Sequence, residues 1–234
     1  RFRSVREYAR HVLDDRTGEE LIGLIDALTT NHTRFLREPA HFDFLRRTVA
    51  PALAPRTRFD LWCAACATGE EPYTICFSLL EEMGMPARGK ARILASDIST
   101  RALAAARQGV YPADRLEGVP EDWRRKYFEP VESEGRQAWR VRPEVRQMVE
   151  FRRINLIEPL FPAGPFPAIF CRNVMIYFDR PTQEQVVRRL AERLEPGGYL
   201  LLGHAEGLTG MNHGLTYVRP AVYRRGEAAP GGRR

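Results

Sequence analysis

Two adjacent carboxylates, Glu70 and Glu71, close a stretch that runs Leu61-Trp-Cys-Ala-Ala-Cys-Ala-Thr-Gly-Glu-Glu-Pro-Tyr73. Leu61 and Trp62 supply an apolar strand, Ala64 to Gly69 keep the following turn free of bulk, and Pro72 sits where a first helical turn tolerates a missing N–H. Strand, small-residue turn and helix in this order let a ligand approach the backbone closely, as in the nucleotide-type pockets of α/β domains. Carboxylates at a helix start are favoured by the helix dipole, but they would repel a phosphate placed there. The ligand read from this stretch is therefore cationic or uncharged at that point, which disfavours a dinucleotide.

Further on, Ile93-Leu-Ala-Ser-Asp97 ends a strand on an acid. In Rossmann-like domains a carboxylate at this place accepts both ribose hydroxyls, and the same spacing serves NAD and S-adenosylmethionine. The plain alternative for Asp97 is a cap for a helix starting at Ser99. Asn155-Leu156 ends another strand, and Ala168 to Phe178 runs from a buried strand into a partly polar loop. Strand carboxyl ends line the ligand crevice of an open α/β sheet, which makes Asn155, Arg172, Asn173 and Tyr177 candidates for adenine contacts and the reaction centre. A strand-end salt bridge for Arg172 and a packed aromatic for Tyr177 are the competing structural readings. The segment Thr29 to Glu38 is dense in hydrogen-bonding side chains. Asn31 and Thr33 could cap the next helix there, or Arg37 could lie over the pocket and clamp a carboxylate bidentately.

The elements that must position these residues follow from periodicity. Residues 1–50 show helical spacing at Val5, Tyr8, Val12, then Leu21, Leu24, Ile25, Leu28, then Phe42, Leu45, Val49, and are read as a small helical domain. Its first helix starts almost at Arg1, so the sequence is read as beginning inside a longer protein. Pro51, Pro55 and Arg56-Thr-Arg58 mark a linker. From Phe59 short apolar strands alternate with amphipathic helices, as a parallel sheet requires. The strands are Phe59–Ala64, Arg92–Asp97, Met148–Asn155, Ala168–Arg172 and Tyr199–His204, with helices near 71–83, 99–107 and 181–194. Pro196-Gly-Gly198 is read as the break before the last of these strands, and 215–224 as a terminal hairpin strand. Residues 120–150 interrupt the rhythm with a short helix and small antiparallel strands, with an acidic tip at 132–135. A Gly- and Pro-rich tail, 226–234, is expected to be disordered.

The 234 residues are 44% hydrophobic and 28% charged, enough for one sizeable core and a small accessory domain in a soluble, cytoplasmic protein. No run approaches a membrane span and no signal peptide is evident. The net charge of +6 comes almost wholly from arginine, with Lys90 and Lys126 the two lysines, and the basic residues are interleaved with acidic ones. A mildly basic solvated surface is the plain reading, and an anionic partner surface the alternative. Cys63-x-x-Cys66 has metal or redox spacing, but a zinc site needs about four ligands and no second pair exists, so the four cysteines are read as buried small residues.

Taken together these segments resemble the chemotaxis receptor methyltransferase (CheR) family. The resemblance rests on TTNHTRFLRE followed by HFDFL (29–45), ATGEEPYT (67–74), ASDIS (95–99), INL (154–156), CRNVMIYFD (171–179) and EPGGYLLLGHAEGL (195–208), in order over nearly the whole chain. It implies an α/β fold with a Rossmann-like, seven-stranded S-adenosylmethionine methyltransferase sheet over 51–225. A helical N-terminal domain would precede it over 1–50, and a small inserted antiparallel β-subdomain would occupy 136–150. The implied activity is methyl transfer from S-adenosylmethionine to glutamate side chains in the cytoplasmic helical region of membrane chemoreceptors. Asn31, Thr33 and Arg37 would touch the cofactor or reaction centre from the helical side. Glu71, with Glu70, would hold the methionine end of the cleft, Asp97 the ribose, and Asn155 and Leu156 the adenine. Arg172 and Asn173 would line the cleft, with Tyr177 near the transferred methyl. Arg37 and Tyr177 are the groups expected to orient the incoming carboxylate. A carboxylate is already ionised at neutral pH, so no general base is needed and positioning dominates. No metal, no nucleic acid and a monomer are expected.

Departures from the family pattern are few. The family is expected to continue N-terminally with a further basic helical segment that helps to meet the acidic receptor helix, and Leu36 stands where a second Phe is commoner. A nucleic-acid methyltransferase is the nearest rival, but Arg172-Asn-Val-Met-Ile-Tyr177 replaces the Asn/Asp-Pro-Pro-aromatic loop of exocyclic amine methylation. A cofactor-binding module without catalysis is a second rival. A NAD-linked oxidoreductase is a third, against which the turn lacks G-x-G-x-x-G.

Overall fold

The computed structural model describes residues 2, 4–133, 135–159 and 161–227. The expected disordered tail lies mostly outside these residues, as does position 134 of the acidic tip. The chain opens with α1 (Val5–Asp14) and α2 (Glu19–Leu28), neither of which has a buried residue. Ser4 caps α1 by accepting from the Glu7 N–H. After an irregular stretch, α3 (Ala40–Phe44), a π-helical turn (Leu45–Val49) and α4 (Ala50–Leu53) follow without a break. Pro51 therefore lies inside a helical first turn rather than in a linker, as proline tolerates.

The remaining elements are β1 (Phe59–Cys63), α5 (Glu70–Met83), α6 (Ala87–Lys90), β2 (Ala91–Asp97), α7 (Thr100–Gln108), β3 (Val110–Pro112), α8 (Glu121–Tyr127), β4 (Phe128–Ser133) and β5 (Arg136–Val141). They continue with α9 (Pro143–Arg146), β6 (Val149–Arg153), β7 (Phe166–Cys171), α10 (Arg180–Arg193), β8 (Leu194–Leu202), β9 (Leu215–Arg219) and β10 (Val222–Arg225). Seven strands form one sheet in the order β6-β2-β1-β7-β8-β10-β9. The first five run parallel, and the β9–β10 hairpin adds an antiparallel edge. All five expected parallel strands are present. One starts early: Leu194 pairs with Phe166 across a register shift, so Pro196-Gly-Gly198 lies within β8 as an irregularity of the strand.

Both faces of the sheet are covered, which is why its strands read as continuous apolar runs. Phe59, Leu61 and Cys63 of β1 join one core with Phe42, Leu45, Ile75, Leu79 and Leu103, while Trp62 points into the other with Val186, Val187 and Leu190 of α10. A separate antiparallel sheet, β3-β5-β4, packs on the first core through Tyr111, Phe128 and Val141. Its strands come from 110–112, 128–133 and 136–141, so it begins earlier than the expected 136–150, whose last residues enter β6 at the edge of the main sheet. Among the described residues no helix is long and apolar enough to cross a membrane.

Candidate active site

The strand order reverses direction at β1, which has β2 on one side and β7 on the other, and a crevice opens there beyond the carboxyl ends of the strands. A cavity of about 360 Å³ occupies it. Its walls come from the turn after β1 (Ala64, Ala65, Ala67), the end of β2 (Asp97, Ile98) and the segments after β6 (Ile154 to Ile157) and β7 (Arg172 to Val174). The helical side adds Ile25 and Leu28 of α2 and the irregular segment from Thr29 to Thr33 with Arg37.

The turn after β1 is shaped by Asp97. Its Oδ2 accepts from the Ala67 N–H at 2.8 Å and its Oδ1 from the Ser99 N–H at 3.0 Å. Ala67 is thereby held at φ 44°, in the left-handed region. Ser99 itself caps α7 by accepting from the Ala102 N–H, so Asp97 is not the helix cap. A carboxylate offers about four acceptor sites, which leaves Asp97 with acceptor capacity toward the cavity it lines. Burial raises its pKa, against which the Ser99 and Ala67 N–H groups act. Gly69 closes the turn at φ 98°, where a Cβ would lie 2.9 Å from the Ala106 Cβ.

Arg172 forms the floor. It is fully buried and donates through Nη1 to Glu71 Oε2 at 2.5 Å and through Nη2 to Glu38 Oε2 at 2.9 Å and to the Arg37 carbonyl at 2.6 Å. The strand-end salt bridge weighed from the sequence is thus real, and the same side chain also lines the cavity. Burial penalises its charge, but Glu71 and Glu38 raise its pKa on balance. Glu38 would be pushed up by burial, yet hydrogen bonding and charge from Arg172, with Asn173 and the His204 N–H, bring it down to about 2. The buried His41 is lowered to about 3 by burial and by the charge of Arg172, and is neutral. Glu38, His41 and His204 bring ligating atoms within 4.8 Å of one another. The Glu38 oxygen facing His41 already pairs with Arg172.

Asn31, Thr33, Arg37, Glu71, Asp97, Asn155, Leu156, Arg172, Asn173 and Tyr177 all line this one cavity. Glu70 does not. Its carboxyl is buried behind the turn, accepting from Thr68 Oγ1 at 2.6 Å and facing Arg115 at 3.6 Å. Consecutive residues at a helix start point about 100° apart, so the two carboxylates could not share one face. Asn31 and Thr33 cap no helix, because 31–39 is irregular and α3 starts at Ala40. Arg37 is oriented by the His32 carbonyl at 2.8 Å. Leu36 (φ 55°) and Glu38 (φ 56°) flank it in the left-handed region, as does Asn173 (φ 57°) opposite. Such conformations persist where neighbours over-determine them, and they cluster at functional sites. Tyr177 stands 59% exposed on the rim of the cavity.

Sequence reasoning did not assign Glu38, Glu206, His32 or the α2 residues. His32 lines the cavity. Glu38 lay within the polar 29–38 segment already singled out, which was the available signal. Glu206 accepts from the N–H groups of Asn173 and Met175 in the turn after β7 and of Gly203 just after β8, and no sequence pattern marks the first two as its partners. The four cysteines are free and buried; burial raises the thiol pKa of Cys63 and Cys66, which makes both poor nucleophiles.

The site fits an adenosyl sulfonium. A carboxylate with spare acceptors ends β2, aliphatic side chains Ile98, Ile154, Leu156 and Val174 offer apolar walls, and Glu71 supplies a negative group. With the five-parallel-strand sheet and its antiparallel hairpin, this defines a S-adenosylmethionine-dependent methyltransferase. Residues 31–223 match the family model described as CheR methyltransferase, SAM binding domain, and the chain belongs to that family. It is 42% identical over 224 residues to the chemotaxis protein methyltransferase 2 of Pseudomonas aeruginosa, covering 95% of this chain and 79% of that one. It is 39% identical over 233 residues to the chemotaxis protein methyltransferase of Borreliella burgdorferi, covering 96% and 81%. The Escherichia coli chemotaxis protein methyltransferase is 38% identical over 205 residues, covering 85% and 68%. Among solved structures, a S-adenosylmethionine-dependent methyltransferase from Mesorhizobium loti matches 65% of this chain and 50% of its own, at 15% identity and a TM-score of 0.35.

Proposed function

We propose that this chain esterifies glutamate side chains in the cytoplasmic helical region of membrane chemoreceptors, using S-adenosylmethionine as methyl donor. The observation that carries the reading is that Arg37 and Tyr177 line the same cavity as Asp97, Asn155 and Glu71. A guanidinium that can grip a carboxylate and a phenol on the rim thus face the cofactor residues. When bound, S-adenosylmethionine supplies an electrophilic methyl on a sulfonium; a carboxylate oxygen forms the new C–O bond as the C–S bond breaks, and no proton moves. Asp97 accepts from the ribose hydroxyls, Glu71 faces the methionine end, and Asn155 and Leu156 frame the adenine. Asn31, Thr33 and Asn173 complete the wall. Arg37 and Tyr177 orient the incoming carboxylate, and Arg172 keeps Glu71 fixed. In this reading 1–50 is the helical N-terminal domain, 51–225 the catalytic domain with the antiparallel sheet as its β-subdomain, and the protein works as a cytoplasmic monomer without nucleic acid.

The test is transfer of labelled methyl from S-adenosylmethionine to a chemoreceptor cytoplasmic fragment, followed by mild alkali. Esters are hydrolysed, so the expected label is alkali-labile and disappears when the receptor glutamates are replaced by alanine. Alkali-stable label, or label on nucleic acid instead, would overturn the assignment.

A further inference from the structure

Three backbone N–H groups converge on the buried carboxylate of Glu206. Asn173 and Gly203 donate to Oε2 at 2.7 and 2.6 Å, and Met175 donates to Oε1 at 2.7 Å. These lengths are those of charge-assisted bonds, roughly twice as strong as neutral ones. Two of the donors belong to the turn after β7 that carries Asn173 and Tyr177. The third belongs to the residue that follows β8, so the carboxylate ties the turn to the neighbouring strand. Gln183 of α10 holds the same turn from its carbonyl side, donating to Met175 and Phe178 at 2.9 and 3.0 Å. Asn173 holds a left-handed backbone, φ 57°, which asparagine tolerates better than other residues with a side chain, and these bonds fix it there. Gly203 is where the parts meet: a Cβ there would lie 2.5 Å from Asn173 Nδ2 and 2.8 Å from Glu206 Oε2. Glu206 itself does not line the cofactor cavity.

We propose that Glu206 is a positioning residue of the methyltransferase, its carboxylate fixing residues 173–177 so that Asn173 and Tyr177 present the geometry that transfer requires. The proposal rests on the carboxyl-methylation reading above. Glu206 acts through the turn, without touching cofactor or substrate. An amide cannot take its place: in Glu206→Gln one acceptor oxygen becomes an NH₂ donor, which meets a backbone N–H head-on whichever way it is turned.

The test compares wild type, Glu206→Gln and Gly203→Ala by amide hydrogen exchange, calorimetric binding of S-adenosylhomocysteine, and turnover on a receptor fragment. In wild type the amides of 173, 175 and 203 exchange slowly. Glu206→Gln speeds their exchange while those of β2 and α5 stay protected, and turnover falls by about 10²-fold, the scale of a misplacement near 1 Å. Affinity for S-adenosylhomocysteine changes much less than turnover, a split that general loss of structure would not produce. Gly203→Ala keeps the carboxylate but crowds both it and the Asn173 side chain, displacing the turn by another route, and gives the same split. Wild-type protection of the turn in Glu206→Gln, or wild-type turnover despite lost protection, would overturn the proposal. So would loss of protection throughout the chain in both variants, which would make Glu206 a general support of the fold. A wild-type chain that labels no receptor carboxylate removes the functional reading, while the exchange data still decide whether Glu206 holds the turn.

Discussion

Arg172 carries its charge out of contact with water between Glu38 and Glu71, an arrangement that stabilises only while every partner stays ionised. That gives the protein an acid limb with a defined shape. Glu38 titrates at about 2 in the folded state against a usual 4.5. Below the unfolded value the unfolded chain binds the extra proton, so the stability that Glu38 contributes is complete above pH 4.5 and lost as pH falls toward 2. His41 acts in the same direction over a higher range: with its pKa lowered from 6.5 to about 3, it carries no protonation penalty on folding above pH 6.5 and a growing one as pH drops to 3. Urea midpoints measured from pH 7 to pH 3 should therefore fall in wild type, and His41→Phe should flatten the stretch from 6.5 to 4.5. An unchanged slope in that variant would mean His41 takes up its proton without unfolding. In the proposed reading Arg37, which lines the cavity, orients the incoming carboxylate. Arg37→Ala should lower turnover on a receptor fragment by about 10²-fold and leave S-adenosylhomocysteine affinity within a factor of a few. Near-normal turnover with cofactor still bound would remove Arg37 from the carboxylate clamp.

At the scale of elements, α2 is held over the cavity by very little burial. None of its residues is buried, yet Ile25 and Leu28 form part of the cavity wall. What fixes it is Asp26, whose Oδ2 accepts from Thr100 Oγ1 at 2.6 Å and from the Arg101 N–H, while the Arg101 side chain donates to the Asp26 carbonyl at 2.9 Å. A bond to a charged group is worth about 1.5–3 kcal/mol. Asp26→Ala should weaken S-adenosylhomocysteine binding by roughly tenfold or more, tenfold being about 1.4 kcal/mol and so close to the low end of that range, and leave the thermal midpoint nearly unchanged, because α2 adds no core. A fall in the midpoint with unaltered affinity would show that α2 supports the fold and not the ligand. This latch was not legible in the sequence, since Asp26 and Thr100 are partners only through the tertiary structure. The parallel strands were legible, because Leu61-Trp62, Ile93-Leu94 and Ile169-Phe170 are apolar on both faces of a covered sheet. The strand Val110–Pro112 was not, three residues with a proline being too short to show a period. Most cavity residues could be read because they follow strand ends, whereas Glu38 and Glu206 act mostly on backbone and side-chain donors far away in sequence, and the inward turn of Glu70 depends on helix rotation.

At the scale of the whole molecule, the 36 basic residues outnumber the 30 acidic ones, and the formal net charge is +6 with a pI near 9.4. The cofactor cavity is not where that surplus lies, since Glu71 and Asp97 balance Arg37 and Arg172 there. The excess must therefore be felt by whatever approaches from outside. If the substrate is an acidic helical segment presented in many copies, the field of the enzyme raises the rate of encounter without entering the transfer step. Two consequences separate this from a merely solvated surface. The second-order rate constant kcat/KM for a receptor fragment should fall several-fold between about 50 and 300 mM salt, because exposed charges are screened beyond a Debye length that shrinks through about 10 Å in that range. Saturated kcat and the affinity for S-adenosylhomocysteine should stay level, because neither depends on approach from a distance. A kcat/KM that does not change with salt would return the arginine-rich composition to the plain reading, a basic surface with no part in meeting the substrate.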